Sequence, residues 1–190
     1  FDAGVLRGYN TDVYGLVNGF ARHGRTNLRS VLILGAGATA ASALVASARL
    51  GARTVFVGAR SPQRASSLLE IGRAQGIHVQ VRALEELLEI DERLDAVIST
   101  LPNGAAVDIE LDPDTIGSAA LFDVAYSPWP TRLAASWPGE EVIGGLEMLV
   151  LQALAQVRIF VHGDPAEPLD RDADVLAAML AAVGLEPTTA

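Results

Sequence analysis

The 190 residues include no cysteine, which rules out a disulfide framework. They include no lysine either: all 14 basic side chains are arginine, so no side-chain ammonium is available as a proton donor. No uninterrupted apolar run reaches membrane-spanning length and no signal-peptide pattern opens the chain, so a cytoplasmic protein is the default expectation. A formal net charge of -9 argues against general binding to nucleic acid or to an anionic membrane. Any phosphate-bearing ligand must therefore be held by a local cluster of cations. His23, His78 and His162 are scattered without ligand spacing, so no metal site is expected, and no Ser/His/Asp arrangement suggests itself. The chain starts at Phe1 without an initiator Met, and residues 1–8 read as the end of a hairpin whose partner strands lie elsewhere. A piece of a longer protein is the expectation.

What is present is organised around one turn. Val31, Leu32, Ile33 and Leu34 suit a strand buried on both faces of a parallel sheet. Gly35, Ala36, Gly37, Ala38, Thr39 and Ala40 follow as G-x-G-x-x-A and lead into an Ala-rich helix over 39–50. In that pattern the first glycine permits the turn and the second lets the backbone approach a pyrophosphate. The small third residue lets helix and strand pack closely. The free N–H groups of the new helix supply the anion site. A glycine turn alone is a weak signal, and a non-binding turn is the plain alternative. Strand before, helix after and a second strand at 54–57 make it a strong one.

Further along, residues 13–22 carry Val13, Leu16, Val17 and Phe20 at helical spacing, with Asn10, Thr11 or Asp12 available as the cap. Ser61 and Pro62 open a helix that Gly76 ends. Strands are predicted at 78–81, 96–99, 120–124 and 142–143, with a short helix around 85–88. A long helix follows Gly144 and Gly145 to about residue 161, its apolar stripe formed by Leu149, Val150, Ala153, Leu154 and Val157. A last helix spans 173–183. Such alternation predicts a Rossmann-like doubly wound parallel sheet of about six strands in an α/β fold. The expected division is 1–12 as the remnant of a preceding domain, 13–28 as a linking helix, 29–145 as the nucleotide-binding domain, and 146–190 as helices bridging back.

The end of the second strand separates the two nicotinamide cofactors. An NAD site places a carboxylate there for the ribose hydroxyls, about 20 residues past the glycines. Here Ala59, Arg60, Ser61 and Arg64 stand at the turn and no carboxylate does. Planar guanidinium forks suit a 2′-phosphate, and Ser61 adds a donor, so NADP is favoured. Two solvated surface arginines are the alternative.

Four separate motifs in order resemble those of the shikimate dehydrogenase family. They are Asn10-Thr11-Asp12, Asp123-x-x-Tyr126 with Pro128 and Thr131, Gly145-Leu146-x-Met148-Leu149-Val150-x-Gln152, and Arg60-Ser61-x-x-Arg64. The likeness runs over about residues 8–163. It departs at Tyr9, where the family often has Asp, at Glu147, where it often has Gly, and at Ala59 and Ser61, where the phosphate clamp has Asn and Thr. The resemblance implies reversible hydride transfer between NADPH and 3-dehydroshikimate, giving shikimate. It implies a catalytic lysine supplied by an N-terminal substrate domain, with Asp12 pairing that lysine and binding a substrate hydroxyl. It also implies Tyr126 and Gln152 as substrate contacts, and Gly145 and Met148 as the nicotinamide lining. Thr100, Leu101, Pro102 and Val124, at the carboxyl ends of strands four and five, are expected along the cofactor. Without the resemblance, Asp12 reads equally well as a capping residue and Met148 as a core side chain. Use of quinate or NAD, and a non-catalytic NADP-binding module, are the competing expectations. The small-molecule substrate leaves room for a homodimer.

Overall fold

The computed structural model describes residues 6–102, 109–117, 119–138 and 141–186, without the side chain of Arg64. Six parallel strands run β1 Ser30–Leu34, β2 Thr54–Ala59, β3 His78–Ala83, β4 Ala96–Ser99, β5 Ala120–Asp123 and β6 Val142–Gly144, in the order β3-β2-β1-β4-β5-β6. This is the doubly wound sheet expected. All five residues of β1 are buried, as a central strand covered on both faces requires. The crossover direction reverses between β1 and β4, which places the ligand crevice of such sheets at their carboxyl ends.

Seven helices accompany the described strands: α1 Thr11–Arg22, α2 Ala38–Arg49, α3 Ser66–Gln75, α4 Pro113–Ile116, α5 Arg132–Ser136, α6 Gly145–His162 and α7 Asp172–Ala182. Two hydrophobic clusters fill the layers on the two sides of the sheet. The larger gathers Leu16 and Phe20 of α1 and Ala43 and Leu44 of α2 onto Val31, Ile33, Val55 and Val57. The smaller sets Leu84 and Leu87 and Ile116 of α4 against Leu32, Leu34 and Phe56. The alternation of a single strand thus feeds both cores.

Several local expectations are narrowed or corrected. Of the three cap candidates for α1, Asn10 is the cap: its Oδ1 accepts from the Asp12 amide at 3.1 Å. Asp12 is therefore in the first turn, not at the cap. The helix after Ser61 starts as a 3-10 turn, Pro62–Ala65, before α3, and the Ser61 side chain makes no cap bond. The segment around 85–88 is likewise 3-10, Leu84–Glu89. On α6 the buried side chains are Met148, Val150, Leu151, Leu154, Ala155 and Arg158, whereas Leu149 and Val157 are each 36% exposed. The expected stripe is out of phase because α6 packs against α1 and α7 as well as the sheet, which a single-stripe reading of period 3.6 does not anticipate. This helix is also long and apolar enough to cross a membrane, by length and composition alone. Its buried Arg158 anchors α7.

Arg158 donates through Nε and Nη2 to the two carboxylate oxygens of Asp172 at 2.8 and 2.5 Å, and through Nη1 to Pro165 O and the Tyr14 hydroxyl. The bidentate hydrogen bond from Arg158 holds the Asp172 carboxyl below its ordinary range, and the same bond raises Arg158. One guanidinium thereby joins α1, α6 and α7.

Candidate functional site

The site begins where β1 ends. Gly35 has φ +109, a conformation open to glycine and disfavoured for other residues, and a Cβ there would lie 2.5 Å from Thr100 Oγ1. Thr100 crosses the switch point from β4: its amide and hydroxyl both donate to Leu34 O, at 2.8 and 2.9 Å. The two strand ends are locked together beneath the turn. Gly37 is then the cap residue of α2, and no side-chain hydrogen bond closes that helix end. No acidic residue stands in its first turn, so the amides of Ala38 and Thr39 and the helix dipole face an anion-compatible site. A Cβ on Gly37 would meet nothing within 4 Å, so the space above the turn is open. Ala40 is fully buried, as close helix–strand packing requires.

Beside this turn, β2 runs on to Ala59, two residues further than predicted, and Ala59 is buried in register with Ala83. Arg60 and Ser61 follow as exposed residues at its carboxyl end. Arg64 has its backbone in the next 3-10 turn, and its side chain lies outside the described residues. Leu101 is half-buried at the edge of the smaller core, and Pro102 is exposed.

The opposite wall forms around Gly145. A Cβ there would lie 2.0 Å from Val124 O, so only glycine lets the start of α6 meet the strand end of β5. Gly145 N donates to Ala125 O at 3.2 Å. Tyr126, 55% exposed, stands on the loop just beyond. Met148 is 6% exposed and packs against Gly15 of α1, where Gln152 also touches. Asp12 lies one turn before Gly15 on the same helix, and Gln156 of α6 donates to Thr11 Oγ1 at 3.2 Å. The structure thus brings Asp12, Met148 and Gln152 to one helix–helix seam. The Asp12 carboxylate has no hydrogen-bond partner among the described residues.

Sequence reasoning missed how these pieces are fastened. Asn10 Nδ2 donates to the buried Ser42 Oγ of α2 at 3.0 Å, tying the start of α1 to the nucleotide helix. Glu147 accepts from Arg22 Nε at 2.7 Å and lies 3.0 Å from His23 Nε2. The His23 Nδ1 is 3.3 Å from Glu141, which also accepts from Arg25. Tyr9 donates its hydroxyl to Gly163 O at 2.5 Å. Two of the four departures from the motifs, Tyr9 and Glu147, therefore have partners between the α1 and α6 segments. A cavity of about 360 Å³ opens between the start of α1, the end of α2 and the loop after α6, lined by Tyr9, Asn10, Thr11, Tyr14, Arg49 and Pro165 among others.

Sheet order, switch-point turn and uncapped nucleotide helix define a domain of the doubly wound, dinucleotide-binding class. Comparison with known proteins narrows this. Residues 20–108 match the profile of the shikimate / quinate 5-dehydrogenase family. The shikimate dehydrogenase (NADP(+)) of Oleidesulfovibrio alaskensis is 35% identical over 169 residues, which are 84% of this chain and 58% of that protein. The crystal structure of a shikimate 5-dehydrogenase from Mycobacterium fortuitum superposes with a TM-score of 0.75 at 33% identity, over 94% of this chain and 64% of that one. Quinate dehydrogenase from Corynebacterium glutamicum, solved with NAD, gives 0.72 at 25% identity, over 92% and 63%. The chain belongs to the shikimate dehydrogenase family. It spans about three-fifths of the length of these relatives.

Proposed function

We propose that this chain is the NADP-binding part of an oxidoreductase that reversibly reduces 3-dehydroshikimate to shikimate. Residues 29–145 form the nucleotide domain; 146–190 and the segment through α1, which begins at Thr11 and not at 13, join it to a substrate domain. The observation that carries the cofactor assignment is the pair of anion-compatible features at the carboxyl edge. These are the uncapped N-terminus of α2 and an exposed Arg60 where an NAD site has a carboxylate. The O. alaskensis relative bears NADP(+) in its name, which supports the same choice.

In this reading the amides of Ala36, Gly37, Ala38 and Thr39 hold the pyrophosphate, and Gly35, whose own amide donates to Gly58 O at 2.8 Å, makes the turn that presents them. Arg60, Ser61 and Arg64 hold the 2′-phosphate beside Ala59, with Thr100, Leu101 and Pro102 along the nucleotide. Val124, Gly145 and Met148 back the nicotinamide. That ring supplies the hydride when bound. The chain's own residues orient the acceptor: Tyr126 and Gln152 hydrogen-bond the substrate, and the Asp12 carboxylate accepts from a substrate hydroxyl. Asp12 also stabilises a cationic proton donor beside the developing alkoxide. No lysine of this chain can be that donor, so the 190 residues bind cofactor without turning over shikimate.

A second reading, quinate oxidation with NAD, takes support from the likeness to the C. glutamicum enzyme and from Ala59 and Ser61 in the clamp. The test is an initial-rate assay of the intact protein with shikimate and quinate, each with NADP and NAD. Shikimate with NADP should give the highest kcat/KM. A preference for quinate with NAD would replace the first reading by the second.

A further inference from the structure

Asp123 is a buried carboxylate that the proposed reaction does not use. It closes β5 in register with Ser99 and Gly144, at the edge where the ligand crevice opens, and is 1% exposed. Removing a carboxylate from water is unfavourable unless donors replace the lost hydration. Two donors do so. Thr131 Oγ1 donates to Oδ2 at 2.5 Å, and the Ala125 amide donates to Oδ1 at 3.2 Å. The same Thr131 oxygen accepts from the Ala134 amide at 3.0 Å and so caps α5. The pair therefore joins the last residue of β5 to the first turn of α5 and closes the intervening loop.

That loop carries the substrate-side wall. Val124 O sits where a Gly145 side chain would be, Ala125 O receives the Gly145 amide, and the Trp129 indole lies over Gly144. Tyr126 projects from its middle. A cap alone would need only the Thr131 hydroxyl; the buried carboxylate adds a fixed distance between the two ends of the loop.

We propose that Asp123 and Thr131 are positioning residues, which set the Tyr126 hydroxyl against the Gly145 wall without touching substrate themselves. This rests on the reading of Tyr126 as a substrate contact. The test uses Thr131→Val, Thr131→Ser, Asp123→Asn, Tyr126→Phe and the double variant Thr131→Val/Tyr126→Phe in the intact protein. Thr131→Val should lower kcat/KM for shikimate about tenfold to a hundredfold, as small misplacements of a binding group do. Thr131→Ser, which keeps donor and cap, should restore it. NADPH affinity should fall by clearly less than kcat/KM, because the phosphate-binding turn lies on other strands and only Val124 of this loop backs the nicotinamide. The double variant should be no worse than Tyr126→Phe alone. An effect of Thr131→Val that adds fully to Tyr126→Phe would overturn the proposal, as would equal losses of NADPH binding and turnover. If Thr131→Val does not fold, Asp123→Asn, which keeps the Ala125 acceptor, must show the same split. Unchanged turnover in Tyr126→Phe removes both this proposal and that contact, whereas impaired Tyr126→Phe with intact Thr131→Val removes this proposal only.

Discussion

The sides of this domain that we assign to nucleotide and to substrate are built by different means. On the nucleotide side, backbone does the work: a glycine turn at φ +109, a helix end without a side-chain cap, and a threonine clasping two strand ends. On the other side, α1, α6 and α7 are stitched by side chains, Arg158 to Asp172 and Tyr14, and Arg22 and His23 to Glu147. A backbone cradle tolerates little substitution at a few positions. A side-chain seam spreads its stability over many pairs, each replaceable on its own.

The contrast is sharpest at Gly35. A methyl there meets both the disfavoured positive φ and Thr100 Oγ1, so Gly35→Ala should destabilise the chain by about 3 kcal/mol and abolish NADPH binding. Urea unfolding and a cofactor titration check the two parts. A near-neutral Gly35→Ala would break the comparison.

Arg158→Met should cost about 2–3 kcal/mol, less than a fully buried pair because Asp172 keeps some solvent contact. The same pair sets an acid dependence. Because the folded-state pKa of Asp172 is depressed, its contribution is fully present above the ordinary aspartate range and is lost as pH falls through the lower folded value. Urea midpoints measured from neutral to strongly acidic pH should show that acid loss in the native chain. The increment should be missing in Arg158→Met.

Arg60→Ala should weaken NADPH about tenfold to a hundredfold and leave NADH nearly unchanged, as loss of a charge-assisted phosphate contact would. Equilibrium titration followed by nicotinamide fluorescence measures it. Smallest of all, Glu147→Ala should cost about 1 kcal/mol, since its partners Arg22 and His23 are partly solvated. Thermal unfolding resolves that difference.

The same contrast explains what could be read from residues alone. The β1 turn, the strand order class and the bare Arg60 end of β2 follow from local patterns: glycine spacing, apolar runs and a missing carboxylate. Helix boundaries came within a residue or two where Gly76 or Asn10 marks an end. The phase of α6 did not, because its burial is set by three neighbours and by Arg158, a residue that composition would place on the surface. Asp123 and Thr131 were visible as motif letters, but their hydrogen bond depends on how the β5–α5 loop folds back. Tyr9 and Glu147 looked like losses from a motif until their partners on other elements were seen. Pairings across long separations leave no periodic trace in one sequence.

If the glycine turn after β1 and Arg60 after β2 together form a site for a 2′-phosphorylated dinucleotide, titration of the 190-residue chain with NADPH and with NADH at moderate ionic strength shows it most directly. Both should bind saturably, with NADPH tighter by about tenfold or more. Equal affinity for the two, or tighter NADH, would contradict that assignment.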